Sequence, residues 1–317
     1  MERNSPSGLI ATEEISKQYL YGARFDYRDL PLETSLEERG ILVPLLMKRV
    51  EKKSVLVAGH KRLFYARQRK WKKVPAHFIS EKFTEKECFL LSVYSNWNQH
   101  FSELDRLEVV RKAERTFRFS HEEMRTTLLP ALGIPANAGS LEGYRRVAEL
   151  ASEIHTLIHE RRIPFRGASS LRRFSRQEQL FLAKSVFKQM HLTTNQLILI
   201  SEWLSDLKKL KKTILEELFK EKELQVMFLN SKGDPGSRGD RLFEIVRMLR
   251  FPRLSEGDKS FRRLKGQIES FEGMRLERPG SSEEEGVLLR ARLKDREGVK
   301  RVLNFLESHR GALESLL

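Results

Sequence analysis

The chain has one cysteine, Cys88, among 317 residues. No intrachain disulfide can form, which fits a reducing compartment. It also lacks any run approaching the roughly twenty uncharged apolar residues a membrane span requires, so no membrane contact is expected. From Met1 to Ile10 it carries Glu2, Arg3, Asn4, Ser5 and Pro6 where a secretory signal needs a basic start and an apolar run, so export is not expected. Metal-ligand spacing is missing among the eight histidines. His155 and His159 stand four apart with no third ligand nearby, so both are read as surface residues and no metal is assigned. Clustered carboxylates for metal-assisted phosphodiester cleavage are missing too, since Glu33, Glu37 and Glu38 suit a solvated helix face. Cys88 opens an apolar stretch, Cys88 to Leu91, and reads as core rather than as a nucleophile. No catalytic residue is assigned, and enzyme activity is not the leading expectation.

Positive charge is in excess. The chain has 59 Lys and Arg against 44 Asp and Glu, a formal +15. That favours a polyanionic partner, and a basic but merely solvated surface is the alternative. Placement of the charge decides between them.

A short acidic helix is expected at Ser35 to Arg39, ending at Gly40. Apolar runs at Leu42 to Val50 and Ser54 to Ala58, parted by Glu51, Lys52 and Lys53, read as two strands joined by a tight turn. Gly59 ends the second, His60 to Trp71 turns helical, and Val74 to Ile79 resumes as a strand. Beyond Ser80 the pattern is helical. Capping boxes are expected at Thr84 with Glu87, Ser102 with Asp105, Ser120 with Glu123 and Ser175 with Glu178. Gly233 to Asp240, GDPGSRGD, reads as a linker. Helices follow at Arg241 to Leu249 and Ser255 to Phe271, then strands at Met274 to Glu277 and Val287 to Leu293 around a polar loop at Gly280 to Gly286, and a helix from Asp295 to Ser308. The expected class is α+β: a mixed domain at 1–82, a mostly helical one at 83–232, and a small α+β domain at 241–317.

From Lys61 to Lys73 there are seven basic residues and no acid. A strand that ends in Gly59 and passes at once into a helix places free amides beside Lys61 and Arg62, which suits a phosphate. The stretch from Ser35 to Ile79 resembles the N-terminal domain of ParB-type partition proteins, with Ser35, Gly40, Pro44, Ala58, Gly59, Lys61, Arg62, Ala66, Val74 and Pro75 at the positions that pattern expects. The helical region from Phe83 to about Leu210 is similar to the ParB middle domain in arrangement. The tail from Arg241, with RFPRLSEGDKSF and FEG, is more similar to ParB-like chains of lesser-known bacterial branches than to the usual dimerisation domain. The resemblance implies a ParB/sulfiredoxin-like fold and a bacterial, cytoplasmic, nucleoid-associated protein of chromosome or plasmid partition. It implies DNA, a ParA-like ATPase and a second copy of the chain as partners, and cytidine triphosphate with magnesium as a ligand. Gly59, His60, Lys61, Arg62 and Asn96 are the phosphate or nucleotide positions it marks.

Departures weaken that last implication. His60 stands where the family has Glu after the Gly, and the later Glu-Asn-x-x-Arg motif reads Ser95, Asn96, Trp97, Asn98, Gln99. A carboxylate for the metal and a bidentate phosphate grip are missing together. A nucleotide switch or hydrolase thus stands as a rival to plain DNA binding, and a protein-interaction scaffold as a second. Sulfiredoxin shares the fold, but its reaction needs a cysteine where His60 stands.

DNA contact is expected from Arg161 to Arg176, where Arg161, Arg162, Arg166, Arg172, Arg173 and Arg176 are interleaved with Phe165, Phe174, Ser169 and Ser170 and no acid. Upstream, a helix from Ser120 and another from Ser140 suggest a helix-turn-helix with Arg145 and Arg146 near the start of its second helix. Pro130, Pro135 and Gly139 lengthen its turn, so a plain helical hairpin is the alternative. Lys208, Lys209, Lys211 and Lys212 form a third basic cluster that could be a solvated face.

Overall fold

The computed structural model describes residues 7–50, 53–96, 100–222, 224–225, 234–270, 273–277, 287–293 and 295–314. The chain forms two compact units, Met1–Ile198 and Leu199–Leu317. Both mix helix and strand.

In the first unit β1 (Ser7–Ala11), β2 (Leu45–Val50), β3 (Lys53–Ala58) and β4 (Lys73–Phe78) form one sheet in the order β1-β4-β2-β3. β2 and β3 are an antiparallel hairpin, β1 pairs antiparallel with β4, and β2 runs parallel to β4. The expected strand from Leu42 begins only at Leu45, after Pro44, which has no N–H for a ladder. α1 (Leu30–Arg39) is longer than expected because Asp29, not Ser35, caps it, its carboxylate accepting from the Leu32 amide at 3.2 Å. α2 (His60–Gln68) connects β3 to β4 and buries Leu63 and Ala66 against Leu45, Met47, Leu56, Val74 and Ala76. This is the first core. The period-two burial of strands and the 3.6-residue period of α2 meet on it.

All four expected capping boxes are present, at Thr84, Ser102, Ser120 and Ser175. They open α3 (Glu85–Tyr94), α4 (Glu103–Arg115) and the helical runs beginning at His121 and Arg176. Cys88 lies buried on α3, as expected, and burial pushes its thiol pKa up. The first unit holds the sheet together with the helical segments as far as Ile198.

In the second unit the expected linker is helix. Pro235–Arg250 is one helix, capped by the Asp234 carboxylate, which accepts from the amides of Gly236 at 2.9 Å and Ser237 at 3.2 Å. Asp followed by Pro supplies an N-cap and a proline at the first helical position, where the missing N–H costs nothing. Gly239 is buried within that helix. Gly233 lies outside the described residues, as does the expected polar loop at 280–286. Pro252–Glu269 is a second helix, and Met274–Glu277 and Leu288–Ala291 pair antiparallel. Leu264, Ile268, Met274 and Leu276 are their common core.

Candidate nucleic-acid interface

Gly59 lies between β3 and α2 at φ +100°, where a Cβ would stand 2.7 Å from Leu45 Cδ2. Glycine is therefore demanded by both conformation and space. The residues after it are engaged by the protein itself. The His60 ring is buried between Tyr19, edge-on at 5.5 Å, and Tyr27, stacked at 5.7 Å, and its Nε2 has no hydrogen-bond partner among the described residues. Burial, with the Lys112 and Arg62 charges, pushes its pKa down to about 3. His60 is thus packed in the core. Lys61 Nζ lies 2.6 Å from Asp29 Oδ2. Arg62 folds back and donates to the carbonyls of Val43 and Pro44. Asn96 donates to the Ser92 carbonyl at 2.8 Å and accepts from Arg24 Nε at 3.4 Å. Trp97, Asn98 and Gln99 lie outside the described residues.

The start of α4 faces that turn across a cleft of about 710 Å³, lined by Lys61, Arg24, Arg28, His159 and Arg161 among others. Lys61 from the basic turn and Arg161 from the arginine segment thus line one cleft, together with the acids Asp26, Glu103 and Asp105. The wall is built on a buried ion pair, Arg24 to Asp105 at 3.0 Å. Asp105, the acid of the α4 capping box, also accepts from the Phe25 amide at 2.8 Å, while Arg24 donates to the His100 carbonyl at 2.9 Å. Removing one partner of such a pair costs about 3–5 kcal/mol. Asp26 holds Arg28 at 2.7 Å and His159 at 3.2 Å. His159 is exposed as expected, but His155 is half-buried with its Nε2 2.8 Å from the Val147 carbonyl. Arg24, Asp26 and Asp29 were missed in the sequence. Their signal was the run Arg24 to Arg28, where charged and aromatic residues alternate with the period of a strand although the segment forms none.

No family model and no curated protein matches this chain. Among solved structures it is similar to the C-terminally truncated chromosome-partitioning protein ParB from Caulobacter crescentus complexed to the centromeric parS site. The identity is 15% and the TM-score 0.35, over 62% of this chain and 98% of that one. The same truncated protein complexed with CTP-gamma-S gives 16%, 0.26, 57% and 98%, and the pNOB8-like ParB N-domain 16%, 0.33, 80% and 97%. Likenesses of this size carry no argument about function, which rests on the residues of this chain.

The arginines divide into held and unheld. The second helix of the expected helix-turn-helix runs Ala138–Ala148, capped by Asn137, so it starts before Ser140 and ends soon after Arg146. Arg145 and Arg146 consequently sit in its last turn, not at the start from which a recognition helix reads bases. Arg145 is held 2.6 Å from Glu114 on α4 and Arg146 2.9 Å from Glu142. Arg172 is held by Glu149 at 2.9 Å, and Arg162 meets His191 Nε2 at 3.0 Å. Arg161, Arg166, Arg173 and Arg176 are exposed, and none has a carboxylate partner among the described residues. Phe174 is buried and Phe165 packs on Tyr144 at 5.0 Å, so the interleaved aromatics are packing groups. In the third cluster Lys211 is paired with Glu221 at 2.5 Å.

Proposed function

We propose that the chain binds duplex DNA through its backbone phosphates, with Arg161, Arg166, Arg173 and Arg176 as the principal groups. The observation that carries this reading is their exposure, with no carboxylate partner among the described residues, on one short segment in a protein of net charge +15. Arg173 and Arg176 flank the Ser175 cap, whose own amides are taken by the Ser175–Glu178 capping box, so the guanidinium groups are the phosphate donors there. On this reading Arg145, Arg146, Arg162 and Arg172 are positioning residues or join the interface after exchanging their protein partners for phosphates. A role in DNA partition, with a ParA-like ATPase and a second copy of the chain as partners, is the biological setting we infer from the sequence resemblance.

A second reading is supported by the meeting of Lys61 and Arg161 in one cleft, which suits the phosphates of a nucleotide such as cytidine triphosphate with magnesium. Lys61 and Arg62 would first have to leave Asp29 and the Val43 and Pro44 carbonyls, so binding is expected to be weak and turnover near background. One experiment separates the readings: duplex DNA titrated at several salt concentrations, with and without cytidine triphosphate and magnesium. DNA binding predicts a log–log salt slope of several units, since each neutralised phosphate contributes about 0.9. A flat slope defeats it, and robust DNA-stimulated phosphate release establishes the second reading instead.

A further inference from the structure

β1 is an edge strand, and no strand lies on its outer side among the described residues. Its hydrogen-bonding phase follows from one bond: the Thr12 amide donates to the Lys72 carbonyl at 3.0 Å, one step beyond the Ala11–Lys73 pair. Bonded and non-bonded pairs alternate along an antiparallel ladder, so Ile10–Val74 and Gly8–Ala76 are bonded while Leu9–Pro75 and Ala11–Lys73 are not. Pro75 has no N–H, and its place in a non-bonded pair agrees. The N–H and C=O of Leu9 and the N–H of Ala11 therefore point outward along the open edge. The Leu9 side chain is 70% exposed.

Ala11 leads directly into a second cleft, of about 750 Å³. Its lining includes Ala11, Ile15 and the half-buried Trp71, and the cations Lys17, Arg67, Lys70, Lys72 and Lys73, with Glu13 as the one acid among the described residues. The walls are fixed. Thr12 Oγ1 donates to the Trp71 carbonyl at 2.6 Å, and Arg67 donates to the carbonyls of Ile15 at 2.9 Å and Ser16 at 3.0 Å. None of the four lysines has a carboxylate partner among the described residues, in contrast to Lys61, Arg145 and Arg172.

We propose that the open edge of β1 and the lysine-rimmed cleft form one docking site for an extended acidic segment of a partner protein. The segment adds to the sheet beside β1 by main-chain bonds to Leu9 and Ala11 and places its carboxylates among Lys17, Lys70, Lys72 and Lys73. Charge complementarity selects an acidic ligand. The outward N–H and C=O groups select a polypeptide over DNA, which has no backbone that completes a β-ladder. This inference is independent of the DNA reading.

The test uses the full chain and a fluorescent peptide of alternating glutamate and valine, titrated by anisotropy beside duplex DNA. Leu9→Pro removes the outward N–H without taking any bond from the β1–β4 ladder, and proline is tolerated on an edge strand in that orientation. The wild-type chain should bind the peptide. Leu9→Pro should weaken that binding about tenfold while leaving DNA affinity unchanged, and Lys72→Glu with Lys73→Glu should weaken it by about tenfold or more. Absence of wild-type peptide binding, or an unchanged affinity in folded Leu9→Pro, overturns the proposal. So does a lysine reversal that costs DNA binding more than peptide binding. Should circular dichroism show Leu9→Pro unfolded, amide exchange in the wild-type chain decides: slowing at Leu9 and Ala11 when peptide is added supports the site, and no slowing overturns it.

Discussion

In the turn after β3, Lys61 is bound to Asp29 and Arg62 to two carbonyls. In the segment from 161 to 176, four of six arginines stand in solvent with no carboxylate beside them among the described residues. The two stretches look alike in sequence, each dense in cations and free of acids. They differ because the turn faces Asp29 and the strand-end carbonyls of its own unit, whereas those four arginines extend from a segment whose apolar residues, Ala168, Leu171 and Phe174, are what the fold buries. A cation's availability to a ligand is set by what the fold places opposite it, and neighbours in sequence do not reveal that.

The largest expected effect tests the unheld side. Replacing Arg166, Arg173 and Arg176 together by alanine should lower duplex DNA affinity by roughly a hundredfold at moderate salt and flatten the log–log salt slope by about 0.9 for each phosphate no longer neutralised. The same titration of Lys61→Ala should give a curve close to the wild type. Equal losses in both variants would erase the contrast between the two regions.

Acid stability probes the held side. The folded His60 pKa lies near 3, below the ordinary 6.5, so on acidification the unfolded chain takes up a proton that the folded chain refuses. The stability conferred by neutral His60 is complete above 6.5 and is lost as pH falls from there toward about 3. The loss is on the order of 1.4 kcal/mol per pH unit. Urea midpoints measured across this range should fall steeply for the wild type and less for His60→Phe, which keeps a ring between Tyr19 and Tyr27. Parallel curves would place His60 outside the core. The residual slope should include His155, whose pKa burial also lowers.

Two charge-removing replacements sharpen the comparison further. Asp29→Asn retains a cap for α1 but releases the Lys61 ammonium, so cytidine triphosphate affinity, read by calorimetry, should rise several-fold. No rise would mean that the Lys61–Asp29 pair does not limit phosphate binding. Glu149→Gln releases Arg172 into the set of unheld arginines. DNA affinity should increase by only about twofold, because exposed ion pairs are weak to begin with. A much larger gain would show that the paired arginines are strongly restrained by their carboxylates.

Much of the local structure was legible. The four capping boxes were readable because an N-cap hydroxyl and an acid three residues on act within a single turn. Gly59 and the strand-to-helix passage were readable because a positive φ and the change of hydrophobic period are local properties. The GDPGSRGD segment misled because its glycines and proline read as a break, whereas Asp234 and Pro235 start a helix that packs Gly239 inside. There the position of the proline, directly after a capping aspartate, outweighs the composition of the segment.

The sequence by itself determined the mix of helix and strand, the four capping-box helix starts, the burial of Cys88 and the sign of the charge, since each depends on residues within a few positions of one another or on a simple sum. Tertiary structure alone decided that His60 turns inward, that Arg145 meets Glu114, that Asp105 holds Arg24 and that Lys61 and Arg161 share a cleft. Those pairings join segments tens of residues apart. Electrostatic and packing energies depend on distance in space, and distance along the chain does not fix it.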